Sequence, residues 1–585
     1  MNQALLLSAL LFAAPAFVVA APAESQKAFA ALADEYWEQQ MRLSPLSASF
    51  VNHPRYHERL DDNSALGRAD DLATARALQA KLKAIDRASL DEVDRVSYEV
   101  MAVQLENWIE QAKHKFWQWN VDHMDGPQSW IPTVVAVAQP MKDEAAAEAL
   151  LLRIKSVPGY FASHVANLRE GLREGRIAAK VPVQKAIGQL DGLLKTPAKD
   201  SPYMEAIKRL PEGLRAGYGA AVEAAVETHV YPSYRQYRDF LKDEYLPKAR
   251  ATGIGLSKLP GGVDAYKYQI RYHTTVDRTP DELHAIGLEE LRGIHAEMKT
   301  IATRMKKPTE LRPFLDWVRK EPAHFFETRE QVLKNAEELV ARAKAKLPEY
   351  FGTLPKTDLI VKPIEDYKEK NDVAARYFPP PDDLTRPGIY FINTYEPHSR
   401  PRFSMASLAV HEGVPGHHMQ IAIALEQRGL PAFRRNAGFT AYVEGWALYS
   451  ERLGDEMGLY QDDLSRVGML SDQALRASRL GVDTGLHAMG WERQQAIDFM
   501  KGNTPMSEEE IIAEVDRYTI WPGQALAYKV GQREIMAIRQ ESKAQLGAKF
   551  DIRRFHDLVL KNGAVPLSVL RQSVLGTPTA VKAAN

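Results

Sequence analysis

The chain has 585 residues, more than one compact core usually supports, so we expect a soluble globular protein with more than one lobe. Its 75 Lys and Arg residues against 76 Asp and Glu residues leave a net charge of −1, which argues against nucleic acid or an anionic membrane as a partner. The absence of cysteine excludes disulfides, thiolate ligands and a lipid-modified cysteine from this sequence.

The N-terminal residues have the pattern of a secretory signal. Residues 4–20 form an apolar run that is short for a membrane span, and small residues follow it. We predict a signal peptide over residues 1–23, cut after Ala20 or Ala23, and a periplasmic or secreted bacterial protein with no membrane span after cleavage. Because no Lys or Arg precedes the run, an uncleaved anchor is the alternative.

Helical periodicity dominates the rest of the chain and predicts a mainly α fold. The strand signals are few, at residues 358–363 and 388–394. Residues 253–262 are rich in Gly and Pro and predict a connection between an N-terminal helical lobe, 24–252, and a catalytic lobe, 253–585. The predicted helices span residues 24–41, 71–86, 89–119, 143–157, 160–174, 211–249, 280–305, 328–346, 404–428, 440–457, 464–500, 507–518, 522–541 and 552–561.

The groups of a hydrolytic zinc site lie in one short run, His411-Glu412-Gly413-Val414-Pro415-Gly416-His417-His418. In the zincin motif H-E-x-x-H, histidines four residues apart share one helical face. Here the spacing from the first histidine to the second is 417 − 411 = 6, which places the two rings on different faces of an unbroken helix.

We therefore predict that Pro415 and Gly416 interrupt the helix with a two-residue bulge that brings His417 beside His411. His418 is the rival second ligand. In the other interpretation the helix ends at Pro415 and the three histidines are unrelated surface residues.

This run resembles the HExxPGHH signature of a large, mostly bacterial family catalogued as a domain of unknown function. That family is distantly similar to the angiotensin-converting enzyme and thimet oligopeptidase group of zinc peptidases, the gluzincins. The resemblance implies two helical lobes with a deep cleft, a small β-sheet near the active site, and short peptides as substrates. Residues 430–435, followed by Tyr442-Val443-Glu444-Gly445, resemble the segment that carries the third ligand in that group.

The resemblance thus favours Glu444 as the third ligand, beside His411 and His417, of one Zn²⁺ per chain. Glu451, seven residues on, is the rival; it could instead orient a ligand histidine or form a buried ion pair. Glu412 is predicted to be the general base, which takes a proton from zinc-activated water and passes it to the leaving amine.

The oxyanion that forms during hydrolysis needs a hydrogen-bond donor besides zinc. In the similar peptidases a tyrosine from the C-terminal part of the chain, often with a histidine, provides it. The resemblance suggests Tyr528 here, with Tyr518 as second choice. His487 is predicted as a catalytic residue, and the alternative is a core histidine.

Three residues before the motif are candidates for substrate binding. Tyr390 and Asn393 belong to the strand at 388–394, which as an edge strand could hold an extended peptide; a buried structural strand would look the same. Arg402 follows in a charged loop and could bind a peptide carboxylate, or it could be solvated surface.

These observations lead to the hypothesis of an exported zinc metallopeptidase that hydrolyses peptides. The sequence does not indicate an oligomeric state. The alternative is a non-catalytic helical periplasmic binding protein with a degenerate or structural metal site. Glu412 favours the enzyme, because a structural site needs no base beside its ligand.

Overall fold

The computed structural model describes residues 22–364, 369–371 and 373–576, so the predicted signal segment lies almost entirely outside the described residues. The fold is mainly helical, with 72% of residues in helices. No helix in the described ranges is both long and apolar enough to cross a bilayer. The α-helices are α1 (Pro22–Leu43), α2 (Pro45–Phe50), α3 (Ala65–Lys83), α4 (Glu92–His114), α5 (Pro127–Ala138), α6 (Glu144–Glu174), α7 (Lys180–Lys195), α8 (Met204–Ile207), α9 (Glu212–Ala225), α10 (Tyr231–Asp239), α11 (Gly262–Thr274), α12 (Pro280–Arg304), α13 (Leu311–Lys320), α14 (Arg329–Tyr350), α15 (Met405–Glu412), α16 (His417–Glu426), α17 (Ala432–Arg435), α18 (Thr440–Glu456), α19 (Asp463–His487), α20 (Arg493–Asn503), α21 (Glu508–Ile520), α22 (Ala527–Leu546), α23 (Ile552–Leu560) and α24 (Leu567–Leu575).

Two predicted helix boundaries differ from the structure for identifiable reasons. The helices expected at 143–157 and 160–174 are one helix, α6, because apolar residues on both sides of Pro158 are buried along it, among them Val157 and Phe161. The helix expected at 464–500 is two, α19 and α20. Between them Gly490 adopts a φ of 72°, a left-handed conformation that glycine accepts and that turns the chain out of the helix.

A three-stranded sheet lies directly before the motif helices. Its strands are β1 (Leu359–Pro363), β2 (Ala375–Phe378) and β3 (Gly388–Ile392), in the order β1-β3-β2. The two predicted strands correspond to β1 and β3. Because β3 pairs with β1 on one side and with β2 on the other, it is the central strand. Of the two interpretations of this strand, the structure supports the buried structural strand and not the edge strand able to take a peptide.

The packing does not divide at the predicted boundary after residue 252. One core is built from α2 and α5–α10, all within the predicted N-terminal lobe. The helices α1, α3 and α4, however, share their core with the sheet, α14–α18 and α22–α24. The N-terminal helices thus belong to the body that carries the motif.

Two glycines bring α18 and α22 into backbone contact. A Cβ on Gly531 would lie 1.7 Å from the carbonyl oxygen of Ala441, and a Cβ on Gly445 would lie 2.5 Å from the backbone of Gly531. Larger residues at either position would push the helices apart. The crossing places Glu444, just before Gly445, on the same side of the fold as Tyr528, three residues before Gly531.

Candidate metal centre

The motif helix is interrupted between Glu412, where α15 ends, and His417, where α16 begins. The backbone folds back so tightly that the N–H of Gly416 donates to the carbonyl of Val410 at 3.0 Å. A Cβ on Gly416 would lie only 2.1 Å from the carbonyl oxygen of His411. Glycine is required here because no side chain fits at this distance.

Helix α18 holds the bulge in place. The indole Nε1 of Trp446 donates to the carbonyl of Pro415 at 2.8 Å, and the hydroxyl of Ser450 donates to the same oxygen at 3.3 Å. The rings of His411 and His417 consequently lie 4.8 Å apart between centroids and nearly perpendicular, at 87°. Residues six apart in the sequence are thus neighbours in space, as the bulge prediction requires.

Glu444 completes a group that could hold a metal ion. Its Oε2 is 3.6 Å from Nε2 of His411 and 3.4 Å from Nε2 of His417. One ligand atom from each residue lies within 4.8 Å of the others, and no second such group of His, Asp or Glu was found in the described part of the chain. Two imidazole nitrogens and one carboxylate oxygen are a donor set typical of catalytic zinc.

One unpartnered polar atom supports this fit. Glu444 Oε2 is buried and has no hydrogen-bond partner within the described residues. A buried carboxylate oxygen without a partner is costly. A cation between the three side chains would satisfy Glu444 without any rearrangement of the backbone.

The electrostatics also favour positive charge at this point. Burial opposes protonation of His411, but the neighbouring carboxylates of Glu444 and Glu451 outweigh it and raise the His411 pKa to about 10. Burial likewise opposes ionisation of Glu444, yet the neighbouring His417 and His411 hold the Glu444 pKa well below its ordinary value. The Glu444 carboxylate is thus stabilised by the positive charge of the two histidines. A divalent cation at the same place would stabilise it in the same way.

Glu451 lies behind His411 rather than at the ligand cluster. Its Oε1 is 2.8 Å from His411 Nδ1, the nitrogen that points away from Glu444, and the carboxylate is fully buried. An outer carboxylate of this kind fixes the orientation of a ligand imidazole. Glu451 therefore lies behind His411, whereas Glu444 is the glutamate that faces both histidines.

His418 has no nitrogen free for a metal. Its Nδ1 is hydrogen-bonded to the hydroxyl of Tyr377 at 3.0 Å, and its Nε2 to the carbonyl of Thr357 at 3.1 Å. The ring faces the sheet instead of the ligand cluster. Of the two adjacent histidines, only His417 lies with His411 and Glu444.

Glu412 is the last residue of α15 and is partly exposed. Within the described ranges its carboxylate has neither a hydrogen-bond nor an ion-pair partner. Tyr390 on β3 lies close enough for its pKa, which burial raises well above the ordinary value, to be raised further by the charge of Glu412. The Tyr390 hydroxyl is itself buried without a partner. Glu412 and Tyr390 thus both lack a hydrogen-bond partner within the described ranges.

Tyr528 packs directly on a ligand histidine. Its ring is nearly parallel to that of His411, at 16° and 6.5 Å between centroids. Arg479 lies 4.4 Å from the centroid of the Tyr528 ring, and the Tyr528 hydroxyl accepts a hydrogen bond of 3.4 Å from Arg517. Because arginine can only donate, the hydroxyl proton of Tyr528 is left free to donate elsewhere.

Tyr518, the second choice for this role, is occupied. Its hydroxyl donates to Glu514 and accepts from Arg479. Sequence reasoning misses the two arginines around Tyr528, because a charged residue in an apolar helix predicts only a buried polar face and not its partner.

His487 is not available for catalysis. Its Nδ1 accepts from the backbone N–H of Leu256 at 3.0 Å, and its Nε2 donates to the carbonyl of Tyr518 at 2.9 Å. Burial lowers its pKa to about 4, so the ring is neutral. The catalytic prediction for His487 is corrected to a structural role: it joins the segment after residue 253 to α19 and α21.

Two of the three predicted substrate-binding residues also have structural roles. The amide of Asn393 is fully buried; its Nδ2 donates to the carbonyls of residues 369 and 373, and its Oδ1 accepts from the N–H of Tyr395. Arg402 donates from Nε to the carbonyl of Phe325 at 2.7 Å and from Nη2 to Gln331 at 3.0 Å. The hydrogen bonds of both side chains hold loops in place. Of the three predicted substrate-binding residues, only Tyr390 is near Glu412.

The chain is similar to proteins whose role is not known. The model of a family described as "Bacterial protein of unknown function (DUF885)" matches residues 45–574. The crystal structure of a "putative lipoprotein" from Colwellia psychrerythraea is 30% identical with a TM-score of 0.88, and the match covers 94% of this chain and 99% of that one. A second "putative lipoprotein of unknown function", from Shewanella oneidensis, shares the fold at 20% identity and a TM-score of 0.74, with the same coverage. Among curated proteins, none is significantly similar in sequence.

Proposed function

The chain belongs to the DUF885 family of bacterial proteins of unknown function. From the grouping of His411, His417 and Glu444 we propose that it is an exported zinc-dependent peptidase. His411, His417 and Glu444 would hold the ion. Two histidines and one glutamate are three protein ligands, which leave a fourth position for water or substrate, as catalytic zinc sites do. A structural zinc site closes all four positions with protein ligands.

The unpaired carboxylate of Glu412 is the observation that carries the proposal. It follows ligand candidate His411 directly and sits at the end of α15, where the bulge exposes part of it. A carboxylate directly after a metal ligand and open to solvent would serve as the general base.

Zinc, when bound, would activate water and polarise the scissile carbonyl. Glu412 would take the proton of the attacking water while the oxygen of that water bonds to the carbonyl carbon. Tyr528 would donate its hydroxyl proton in a hydrogen bond to the carbonyl oxygen as negative charge develops there. Glu412 would then hand its proton to the leaving nitrogen, the C–N bond breaks, and a carboxylate and an amine are released.

We further propose the two-lobed arrangement of the angiotensin-converting enzyme and thimet oligopeptidase group, with short peptides as substrates. The separate core formed by α2 and α5–α10 supports a second body beside the one that carries the metal centre. Trp521, which is close in sequence to Tyr528, connects the two bodies. Its Nε1 donates a hydrogen bond to Asp122 at 2.8 Å. Access to the metal centre would then be limited by the two bodies.

The proposed location is the periplasm or the cell exterior. The apolar run at residues 4–20 supports export, and both similar structures carry a name used for envelope proteins. Attachment by a lipid-modified cysteine would require a cysteine, and this sequence contains none.

Metal analysis of the purified protein, paired with cleavage of a mixed peptide library, tests the proposal. We expect one zinc per chain and hydrolysis that stops on chelation. Glu412→Gln should keep the zinc and lose activity by about 10²–10⁴-fold, the usual contribution of a general base. Glu338→Gln on the exposed side of α14 is the matched control and should remain fully active.

Each outcome has a distinct meaning. A fully active Glu412→Gln variant would remove Glu412 from the mechanism. Bound zinc without any cleavage would favour the alternative, a helical binding protein with a structural metal. A protein that binds no metal and still cleaves peptides would refute the proposed centre.

A further inference from the structure

A chain of buried hydrogen bonds leads from His411 away from the ligand cluster. His411 Nδ1 is 2.8 Å from Oε1 of Glu451, and Gln473 donates from Nε2 to Oε2 of Glu451 at 2.9 Å. Lys529 in turn donates from Nζ to Oε1 of Gln473 at 2.8 Å. Glu451, Gln473 and Lys529 are at most 1% exposed, so water does not compete for these bonds. The chain joins α15, α18, α19 and α22.

The two ends of this chain, the Lys529 ammonium and the Glu451 carboxylate, determine the direction of the hydrogen bonds between them. An ammonium group can only donate, so Gln473 must turn its carbonyl oxygen towards Lys529. The NH₂ group of Gln473 then faces Glu451 and donates to it. Glu451 accepts on that oxygen and can accept on the other from His411 Nδ1–H. His411 is left with Nε2, the nitrogen that faces Glu444, as its metal-binding atom.

A second amide reinforces this orientation. Gln532 accepts from Lys529 on Oε1 at 2.6 Å, which turns its own NH₂ group towards Gln473 Oε1 at 2.9 Å and the carbonyl of Leu448 at 2.9 Å. One ammonium therefore donates to both glutamines, while the Glu451 carboxylate and the Leu448 carbonyl accept from their NH₂ groups. With Lys529 removed, Gln532 Oε1 loses its buried donor and Gln473 Oε1 loses one of two, so the amides are held less firmly against Glu451.

A lysine at this depth needs an explanation. Its nearest carboxylate, Glu290 on α12, is 3.6 Å away and partly exposed. Burying an ammonium costs several kcal/mol, whereas an apolar side chain of similar length would fill the same space without that cost.

We propose that Lys529 is a positioning residue of the metal centre, which acts through Gln473 and Glu451 to keep His411 Nε2 directed at the ion. This inference rests on the metal-binding part of the proposed function and does not depend on peptidase activity. Loss of an outer-shell partner typically weakens metal binding by about 10–100-fold. For Lys529, two residues further out than Glu451, we expect the lower end of that range.

The first test is metal affinity, measured by competition with a chromophoric chelator. Lys529→Met, which has a side chain of similar length without a donor, should bind zinc about tenfold more weakly. Gln473→Met interrupts the same chain and should show the same loss, which provides a second variant if the first does not fold. Gln128→Met is the matched control: its amide is equally buried and hydrogen-bonded, but it lies on α5, outside this network, so zinc affinity should stay at the wild-type value. Thermal unfolding of each variant checks that it is folded.

A double-mutant cycle separates positioning from a general effect on packing. If Lys529 acts through Glu451, then Lys529→Met should cause no further loss of zinc affinity in a Glu451→Ala background. The visible absorption of the cobalt(II)-loaded Lys529→Met protein should shift towards that of Glu451→Ala, because both variants loosen the same ligand.

Additive losses, or wild-type zinc affinity in both Lys529→Met and Gln473→Met, would overturn the inference while leaving the proposed function intact. A wild-type protein that binds no metal would refute both.

Discussion

Gly416→Ala is the most direct perturbation of the geometry on which the metal centre depends. The new Cβ would lie 2.1 Å from the carbonyl oxygen of His411 and 2.3 Å from that of Val410, whereas real Cβ contacts essentially never fall below 3.0 Å. The backbone at His411 must therefore move by about 0.9 Å, the difference between 3.0 and 2.1. Zinc sites tolerate ligand displacements of only about 0.2 Å. We expect a loss of stability of about 1–3 kcal/mol, as for overpacked cores, and a loss of metal affinity.

The assay is zinc affinity by chelator competition, together with thermal unfolding of the zinc-free protein. Gly429→Ala is the matched control: it lies soon after α16, has no atom within 4 Å of its added Cβ, and should change neither quantity. If Gly416→Ala bound zinc as tightly as the wild type, the bulge would not be what aligns His411 with His417. The reasoning would then have failed at its first step.

Three further predictions address the ligand choice, the oxyanion donor and the response to pH. His417→Ala should weaken zinc binding by more than the roughly 100-fold of an outer-shell loss, and His418→Ala by less than tenfold; the reverse ranking in chelator competition would identify His418 as the ligand. Tyr528→Phe should lower kcat by about 10²–10³-fold with KM little changed, whereas Tyr518→Phe, whose hydroxyl is already paired, should affect kcat much less; equal effects in steady-state kinetics would argue against Tyr528 as the donor. Burial raises the pKa of Asp483 to about 7. Between about pH 4 and pH 7 the folded protein therefore keeps a proton that the unfolded chain has released. Because the folded state binds more protons in this range, the free energy of unfolding should fall as pH rises from about 4 to 7. Asp483→Asn should remove that part of the dependence, and identical unfolding-temperature profiles for wild type and variant would show that Asp483 does not titrate in this range.

The motif could be interpreted from the sequence because its chemistry is local. Proline and glycine between His411 and His417 indicate a break in the helix, and the break is where the structure has it. Most long helices were also predictable, because their apolar periodicity extends over several turns. The family resemblance is confirmed at the level of the DUF885 family, while the relationship to zinc peptidases stays a proposal.

The errors concern residues whose role depends on distant partners. Asn393 and Arg402 have the polar character of binding residues. Their side chains, however, donate hydrogen bonds to backbone carbonyls that are far away in the sequence or in another loop. The sequence left open whether β3 is an edge strand or a buried one, because β2, the strand that pairs with its other side, is too short to give a clear periodic signal. His487 has the chemistry of a catalytic residue, and only the contacts of its two nitrogens reveal a structural role.

The sequence by itself determined the mainly helical class, the break at Pro415 and Gly416, and the identity of the groups that could bind a metal. These depend on backbone chemistry and on residues within a few turns of one another. Only the tertiary structure decided that Glu444 faces the histidines while Glu451 lies behind His411, and that Lys529 contacts Gln473. Those relations depend on how α15, α18, α19 and α22 cross, which close packing between residues far apart in the sequence determines.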